Sequence, residues 1–396
     1  MNRRQALTAT LNAAAAACVI RPAELLALQG GAKATGAAGD TIHVHPGNGA
    51  DTNSGAKGSP LRTLAEAARR VNQSKGTGPM TIVLSEGIYA VGETTVLKPE
   101  NRSFSKTERL TIRAEVLPDD PEWHTGRMPT LIHTMPFPPT WNGRPEGWMD
   151  GLLIETSHVS ILGLKILGIP IVESPQPGLL RRLYAISRLR RDLEDLEIGH
   201  CLFAGDAVTN PNHVGIIAHG NGVDVHHCLF HGLKISVVYW SGGSSGHAMR
   251  NCLCDGVYGS AVWTAGIADD FKYQNNVVVN SHYVWTYQSG ASAAADARGG
   301  GGAQRTAPSP EKPRQDNHYK VVGSLFANNR RLAGSGTGAK LEYQDIDPSF
   351  LDLVGTTVSD KPVVLEHDTT KRNYLHPVAG SEAAKIGAGL FLKPNV

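Results

Sequence analysis

The stretch Val223–Cys254, VDVHHCLFHGLKISVVYWSGGSSGHAMRNCLC, carries one phrase twice. HHCLFHG (His226–Gly232) returns as RNCLCDG (Arg250–Gly256). The same register recurs in LEIGHCLFAG from Leu196, FKYQNNVVVN from Phe271 and YKVVGSLFAN from Tyr319. The position that marks it is Cys201, Cys228, Cys252, Asn276 and Ser324, at intervals of 27, 24, 24 and 48 residues. The last interval is twice the one before it. It also contains a Gly/Ala/Pro-rich insertion, Gly290–Asn317, so no extra repeat is assigned inside it.

Each unit divides into three strand-like pieces. The first is VGIIAH (Val214–His219), ISVVYW (Ile235–Trp240) or SAVWTA (Ser260–Ala265). The second is VDVHH, HAMRN or FKYQN, and the third is CLF, CLC or VVV. A period in the low twenties with three short strands per turn predicts a solenoid whose coils stack by parallel pairing about 4.8 Å apart. The expected fold is therefore all-β, a right-handed parallel β-helix. In it the repeated Cys/Asn position stands at one corner of every coil. Cys201, Cys228 and Cys252 are expected to stack there as free, buried thiols. Upstream, Gly151–Gly168 supplies one more coil. Pro177–Leu193 has near-helical spacing of Leu179, Leu183, Ile186 and Leu189, yet the coils on either side need a first strand between them. YAISRL (Tyr184–Leu189) supplies it, with Arg181 and Arg182 in the preceding loop.

The chain has 396 residues, 44 of them Gly, and a formal net charge of +2. So balanced a charge argues against a nucleic-acid binder, whose affinity comes from neutralising phosphates. No apolar run after residue 30 is long enough to span a bilayer. Residues 1–39 read as an export signal and linker: Arg3 and Arg4 precede an Ala-rich apolar segment. The Arg pair suits a twin-arginine signal, although Ala6 stands where Phe or Leu is expected, and an ordinary secretory signal remains the other reading. The expected location is periplasmic or extracellular. Residues 40–345 are assigned to the β-helix with its N-terminal cap, and 346–396 to a closing segment. The cap is SPLRTLAEAARRVN, read as a helix with Ser59 as cap, Pro60 at its first position and an apolar face of Leu61, Leu64, Ala68 and Val71.

The segment HVHPGNGADTNSGAKGSPLRTLAEAARRV (His43–Val71), with TIVLSEGIY (Thr81–Tyr89) after it, resembles the start of secreted right-handed β-helix proteins of the pectate-lyase-like superfamily. DPSFLD at Asp347 and YLHPVAGSEAAKIGAGL at Tyr374 resemble the segment that closes such chains, with Glu382 in place of the usual Pro. The resemblance covers most of residues 41–390. It implies the fold and a setting among polysaccharide lyases, glycoside hydrolases and non-catalytic binding proteins; one fold hosts many chemistries.

In such proteins substrate lies along the first strand. Alternation of side chains puts Ile216, Val237, Val262 and Val284 inside. Ile217, His219, Val238, Trp240, Trp263, Trp285 and Tyr287 then face outward. Trp240, Trp263, Trp285 and Tyr287 would form an aromatic wall, either an open groove for sugar rings or a surface covered by the insertion. A lyase needs a cation for the uronate carboxylate and a base for the adjacent proton. Lys234, His231, Arg188 and His219 are candidates, on or beside first strands. A hydrolase needs two carboxylates about 5–9.5 Å apart; Asp206, Asp255, Asp269, Asp270 and Glu155 are candidates. The Asp269–Asp270 pair is similar to that of polygalacturonase-like hydrolases, but the Gly-His-Gly and Arg-x-Lys phrases of that family are absent.

Catalysis is thus assigned to His219, Lys234, Arg188 and Asp206. Substrate binding is assigned to Trp240, Trp263, Trp285, Tyr287, Asp269 and Asp270. No metal ligands are assigned. His226 and His227 are adjacent on a strand and expected to point to opposite faces, while His200 and His227 share a column and are expected to stack. Calcium enters only through the resemblance, and no Asp-rich loop of the right density appears. The expected partner is a polysaccharide or oligosaccharide, cleaved by a lyase or hydrolase or, in the alternative, only bound. The chain is expected to be a monomer with no nucleic-acid partner.

Overall fold

From Gly163 onward, each coil turns through one residue of positive φ at the end of its second strand. That residue is Gly163 (φ 76°), His200 (56°), His227 (47°), Asn251 (53°), Asn275 (53°), Gly323 (57°) or Gly355 (57°). Only Gly adopts this conformation freely, and Asn and His tolerate it better than most residues. The next side chain turns into the coil. After Gly163 it is Leu164, and from there on it is the marked position of the repeat: Cys201, Cys228, Cys252, Asn276, Ser324 and, one coil on, Thr356.

These corners define the computed structural model, which describes residues 40–136, 148–170, 182–240, 242–288, 317–337 and 342–392. Among them the strands fall into three long sheets of nine, ten and nine strands. Sheet 1 collects the first strand of each coil, including Arg182–Arg188, Asn212–Ala218, Leu233–Trp240, Ser260–Ala265 and Tyr283–Gln288. Sheet 2 collects the second strands, such as Leu196–Gly199 and Val223–His226. Sheet 3 collects the third, such as Leu202–Ala204 and Leu229–His231. Pairing from coil to coil is parallel, as with Ile198 beside Val225 and Phe203 beside Phe230; the one antiparallel addition among the described strands is at the end of sheet 1. The arrangement is the parallel β-helix that the repeat predicts, and the strong preference of parallel crossovers gives the coil its right hand.

Stacking places like on like inside the coil. Phe203 lies on Phe230 with ring centroids 4.9 Å apart and planes 11° from parallel. Burying one such side chain contributes about 1.5–3 kcal/mol. The thiols of Cys201, Cys228 and Cys252 are free and buried, as expected. They are more than apolar filler. Their Sγ atoms reach the carbonyls of Ile161, Ile198 and Val225 in the preceding coil at 3.7, 3.5 and 3.6 Å. Asn276 does this more strongly. Its Nδ2 donates to the Met249 carbonyl at 2.9 Å, and its Oδ1 accepts from the Cys252 amide at 2.8 Å. From Cys201 on, the corner column therefore holds small side chains that can donate a hydrogen bond.

The N-terminal helix caps one end, but it begins later than the sequence suggests. It spans Leu64–Gln73, capped by Thr63 rather than Ser59. The reason is Asp51. Its carboxylate accepts from the amides of Arg62 and Thr63, which holds residues up to Thr63 in the loop. Leu61 instead pairs with Val44 beside the first strand of sheet 2. Leu64, Ala67, Ala68 and Val71 are the buried face. Of YAISRL, the residues from Tyr184 to Arg188 lie in a strand and Leu189 follows it; the strand begins at Arg182, which the sequence places in the preceding loop. Arg181 and the insertion at 290–316 lie outside the described residues. At the far end, Leu351–Val354 and Thr357–Ser359 extend sheets 2 and 3, so the coils run on past residue 345.

The corner column yields a stability test. Replacing Asn276 by Leu leaves the Met249 carbonyl and the Cys252 amide unpaired, at about 1–3 kcal/mol each. The urea midpoint should fall clearly. Asn275→Gly keeps the positive φ and should move the midpoint little. Equal shifts in the two variants would contradict the role given to the column.

Candidate functional site

Where sheet 3 passes back to sheet 1 the chain bends again through residues of positive φ, among them Gly232, Gly256, Asn280 and Asn328. Stacked bends leave a recess running along the coil axis. It is open, with a volume of about 500 Å³, and is lined by Gly256–Tyr258, Asn280–His282 and Asn328–Arg330. A polar ladder forms its floor: Asn328 Nδ2 donates to Asn280 Oδ1, and Asn280 Nδ2 donates to Asp255 Oδ1, both at 2.8 Å. The other Asp255 oxygen is 2.8 Å from His231 Nδ1.

Beside this recess, at the start of the sheet 1 strands, a group of polar side chains converges. It consists of Arg182, His213, Lys234, Tyr258 and Tyr343. Arg182 is within electrostatic reach of His213, Lys234 and Tyr343, and Lys234 is within reach of His213. The Tyr343 hydroxyl lies against the backbone at Gly259, where a Cβ would stand 2.5 Å from it and 3.0 Å from Lys234 Cγ. The Tyr343 ring packs over the sheet against Trp263 and Tyr283, with centroids 6.1 and 5.3 Å away. It is 6.3 Å from His282, which lines the recess.

Three polar atoms of this group are buried without a hydrogen-bond partner: His213 Nδ1, Tyr258 Oη and Tyr343 Oη. Buried polar atoms are nearly always paired, so three together mark a place where a ligand can complete the bonding. Burial, then the Lys234 and Arg182 charges, lower the His213 imidazole to about 4. Burial, then Arg182, also lowers the Lys234 ammonium. Both phenols are raised, chiefly by burial. The group thus offers cations for an anion, a neutral imidazole to take a proton and phenols that hold theirs.

Of the residues chosen from sequence, Lys234 is in this group and Asp206 is at its edge. The Asp206 charge reaches Tyr258. Its oxygens, however, accept from the amides of Val208 and Thr209 and from the Thr209 hydroxyl, which is the work of a turn. His219 is elsewhere. It follows Ala218, which pairs with Tyr239, so it lies at the opposite end of the sheet 1 strands. Six residues of strand, about 20 Å, separate Lys234 from Trp240 at that end. His219 and Lys234 therefore cannot act on one bond.

Arg188 is fully buried and faces inward. Its guanidinium donates to the carbonyls of His219 and Asn221 at 2.7 and 2.8 Å, bracing the loop from sheet 1 to sheet 2. Asp269 and Asp270 are exposed in a turn of that same kind, where Asp270 accepts from the Gly246 amide.

The aromatic wall requires correction. Trp240 and Trp263 do share the outer face, with centroids 5.9 Å apart. Trp285 pairs with Val262 and Tyr287 with Thr264, and both belong to the central core. Trp285 stacks on Tyr319 inside the coil at 5.3 Å. The cause is a kink shared by the central sheet 1 strands. Register partners skip Ser236, Ala261 and Val284, so two successive residues such as Val284 and Trp285 both enter the core. A shift of one residue reverses every face beyond it. Trp263 is itself only 1% exposed, covered in part by Tyr343. The face is not an open sugar platform.

Sequence reasoning missed Arg182, His213, Tyr258 and Tyr343 as site residues. Tyr343 belongs to Glu342–Asp345, which adds to sheet 1 antiparallel to Arg331–Thr337. No repeat brings such a segment to notice. His213 and Tyr258 lie just before or at the start of first strands, where the kink hides their direction.

No protein-family profile and no curated protein matches the chain. Among solved structures it is similar to the GH136 lacto-N-biosidase from Eubacterium ramulus, at TM-score 0.46 and 10% identity, over 81% of this chain and 55% of that one. The chain thus spans about half the length of that protein. It is similar to a rhamnogalacturonan lyase at TM-score 0.45 and 10% identity, over 89% and 100% of the two chains. It is also similar to the pectin methylesterase from Aspergillus niger at TM-score 0.39 and 9% identity, over 85% and 95%. Likeness at this level concerns coiled architecture and says nothing of substrate.

The buried imidazoles set a pH dependence. Burial lowers His213, His219 and His376 from 6.5 to about 4. The unfolded chain takes up these protons near pH 6.5 and the folded chain only near pH 4. Stability is therefore full above pH 6.5 and is lost as pH falls from there through 4, by at most about 3 kcal/mol per group. Urea midpoints at pH 7.5, 5.5 and 4.5 should fall in that order. A constant midpoint would mean that these rings are not buried neutral.

Proposed function

We propose that the protein is an exported carbohydrate-active enzyme that cleaves an acidic polysaccharide by β-elimination, at the group formed by Arg182, His213, Lys234, Tyr258 and Tyr343. The observation that carries this reading is the set of three unpartnered buried atoms, His213 Nδ1, Tyr258 Oη and Tyr343 Oη, next to two cations and an axial recess. In this reading a glycan lies along the recess. Arg182 and Lys234 take the uronate carboxylate, which makes the proton on the adjacent carbon more acidic. His213 Nδ1 accepts that proton. The bond to the leaving glycosidic oxygen breaks as the ring double bond forms, and a phenol, Tyr258 or Tyr343, returns a proton to the oxygen. The arriving carboxylate also offsets the cations that depress His213, so the imidazole becomes a better base once substrate is bound.

Hydrolysis is supported less well. It needs two free carboxylates, and the carboxylate whose charge reaches the group, Asp206, is engaged by its own turn. The remaining alternative is a β-helix that binds a glycan without cleaving it.

The test is a panel of polyuronates followed by ultraviolet absorbance of unsaturated product. The wild-type protein should generate it. Tyr343→Phe and Lys234→Ala should each lower kcat by about 10²-fold or more, while Trp240→Ala, at the far end of the strand, should stay within a few-fold. New reducing ends without ultraviolet absorbance would indicate hydrolysis and overturn the elimination. Binding without product would favour the non-catalytic reading.

A further inference from the structure

The corner between sheets 2 and 3 brings together three histidines that the glycan reading does not use. His226 ends one second strand, and His227 is the corner residue that follows it, with φ 47°. His200 is the same corner one coil earlier, with φ 56°. Sequence alternation puts His226 and His227 on opposite faces. The positive φ at His227 undoes that alternation and swings its ring back beside its neighbour. The two Nδ1 atoms are 3.1 Å apart. His200 and His227 do stack as expected, with centroids 5.2 Å apart and planes 12° from parallel. All three rings are more than nine-tenths buried.

We propose that His200, His226 and His227 form a binding site for a divalent first-row transition metal ion such as Zn²⁺. One nitrogen from each ring lies within 4.8 Å of the other two. Two nitrogens bound to one tetrahedral zinc stand about 3.4 Å apart, given Zn–N bonds of about 2.0–2.1 Å. The His226–His227 pair already has nearly that spacing, and a small inward turn of His200 completes it.

The surroundings orient the rings as metal ligands are oriented. His226 Nε2 is 3.0 Å from Glu197 Oε1. A carboxylate only accepts, so the His226 proton is on Nε2 and the lone pair of Nδ1 faces the cluster. Glu197 is itself fixed by the Ser160 hydroxyl at 2.6 Å. His200 Nδ1 is 2.7 Å from the Leu390 carbonyl, to which it must donate, so its free lone pair is on Nε2. Carboxylate and carbonyl partners on the second ring nitrogen are what fix tautomer and direction at metal sites. His227 needs only to move its own proton from Nδ1 to Nε2. Imidazoles in this number select zinc, copper, nickel or iron over calcium or magnesium.

The site would also staple the segment around Leu390 to the coils. Leu390 donates its amide to His376 Nε2, and Gly389 donates to the Asn251 carbonyl one coil on, both at 2.9 Å. A metal held by His200 therefore anchors the last described segment to three successive coils. This inference is independent of the glycan reading.

The experiment uses the full chain, stripped with a chelator and titrated with Zn²⁺ alone or with Co²⁺ as a spectroscopic probe. One ion per chain is expected, with the visible bands of tetrahedral Co²⁺, and a higher melting temperature as the ion saturates the folded state. His227→Asn is the informative variant, because Asn already holds the same corner at Asn251 and Asn275. It should melt like the stripped wild type and lose binding by at least about 100-fold. Glu197→Gln should weaken binding by about 10- to 100-fold. His231→Gln, away from the cluster, should bind normally. Absence of saturable binding below millimolar metal, or unchanged affinity in a folded His227→Asn variant, would overturn the proposal.

Discussion

A stacked coil depends on closing each turn without leaving backbone groups unpaired inside it. The chain meets this with a two-residue device: one residue of positive φ, then a small side chain turned inward. Asn251 with Cys252 and Asn275 with Asn276 are two instances. The inward group reaches the carbonyl of the preceding coil, and so each corner is tied to the one before it. Parallel pairing can then run through three sheets without interruption. Loss of one corner would expose polar groups in two coils, which is why the column matters more than its small side chains suggest.

The same device sets where chemistry can lie. Corners repeat, so side chains beside them form files along the axis. The bends between sheets 3 and 1 produce a polar recess with Asn280 and Asn328 in file, and they bring Tyr258 and His282 to its edge. The bends between sheets 2 and 3 bring three imidazoles together at the opposite end of the third strands. In both places a residue of positive φ has redirected side chains that simple alternation would separate.

The fold was legible because its signal is repetition. The marked positions from Cys201 to Ser324 gave the register of sheets 2 and 3, and the thiols proved free and buried. The site was much less legible. Lys234 was found, because a Lys entering an apolar strand is conspicuous. Trp285 and Tyr287 were assigned outward because alternation was carried through a kink that doubles the inward residues. His219 was grouped with Lys234 by strand type, although the two lie at opposite strand ends. Tyr343 comes from an antiparallel edge segment with no counterpart in the repeat. Local period gives the scaffold, while kinks and distant segments decide which polar groups meet.

The most direct measurement is a crystal structure of the protein with a bound uronate oligosaccharide. The account predicts the sugar in the axial recess, one carboxylate between Arg182 and Lys234, and the hydroxyls of Tyr258 and Tyr343 within hydrogen-bonding distance of the glycosidic oxygen. Sugar bound instead against Trp240 and Trp263, with Lys234 and Tyr343 untouched, would contradict it.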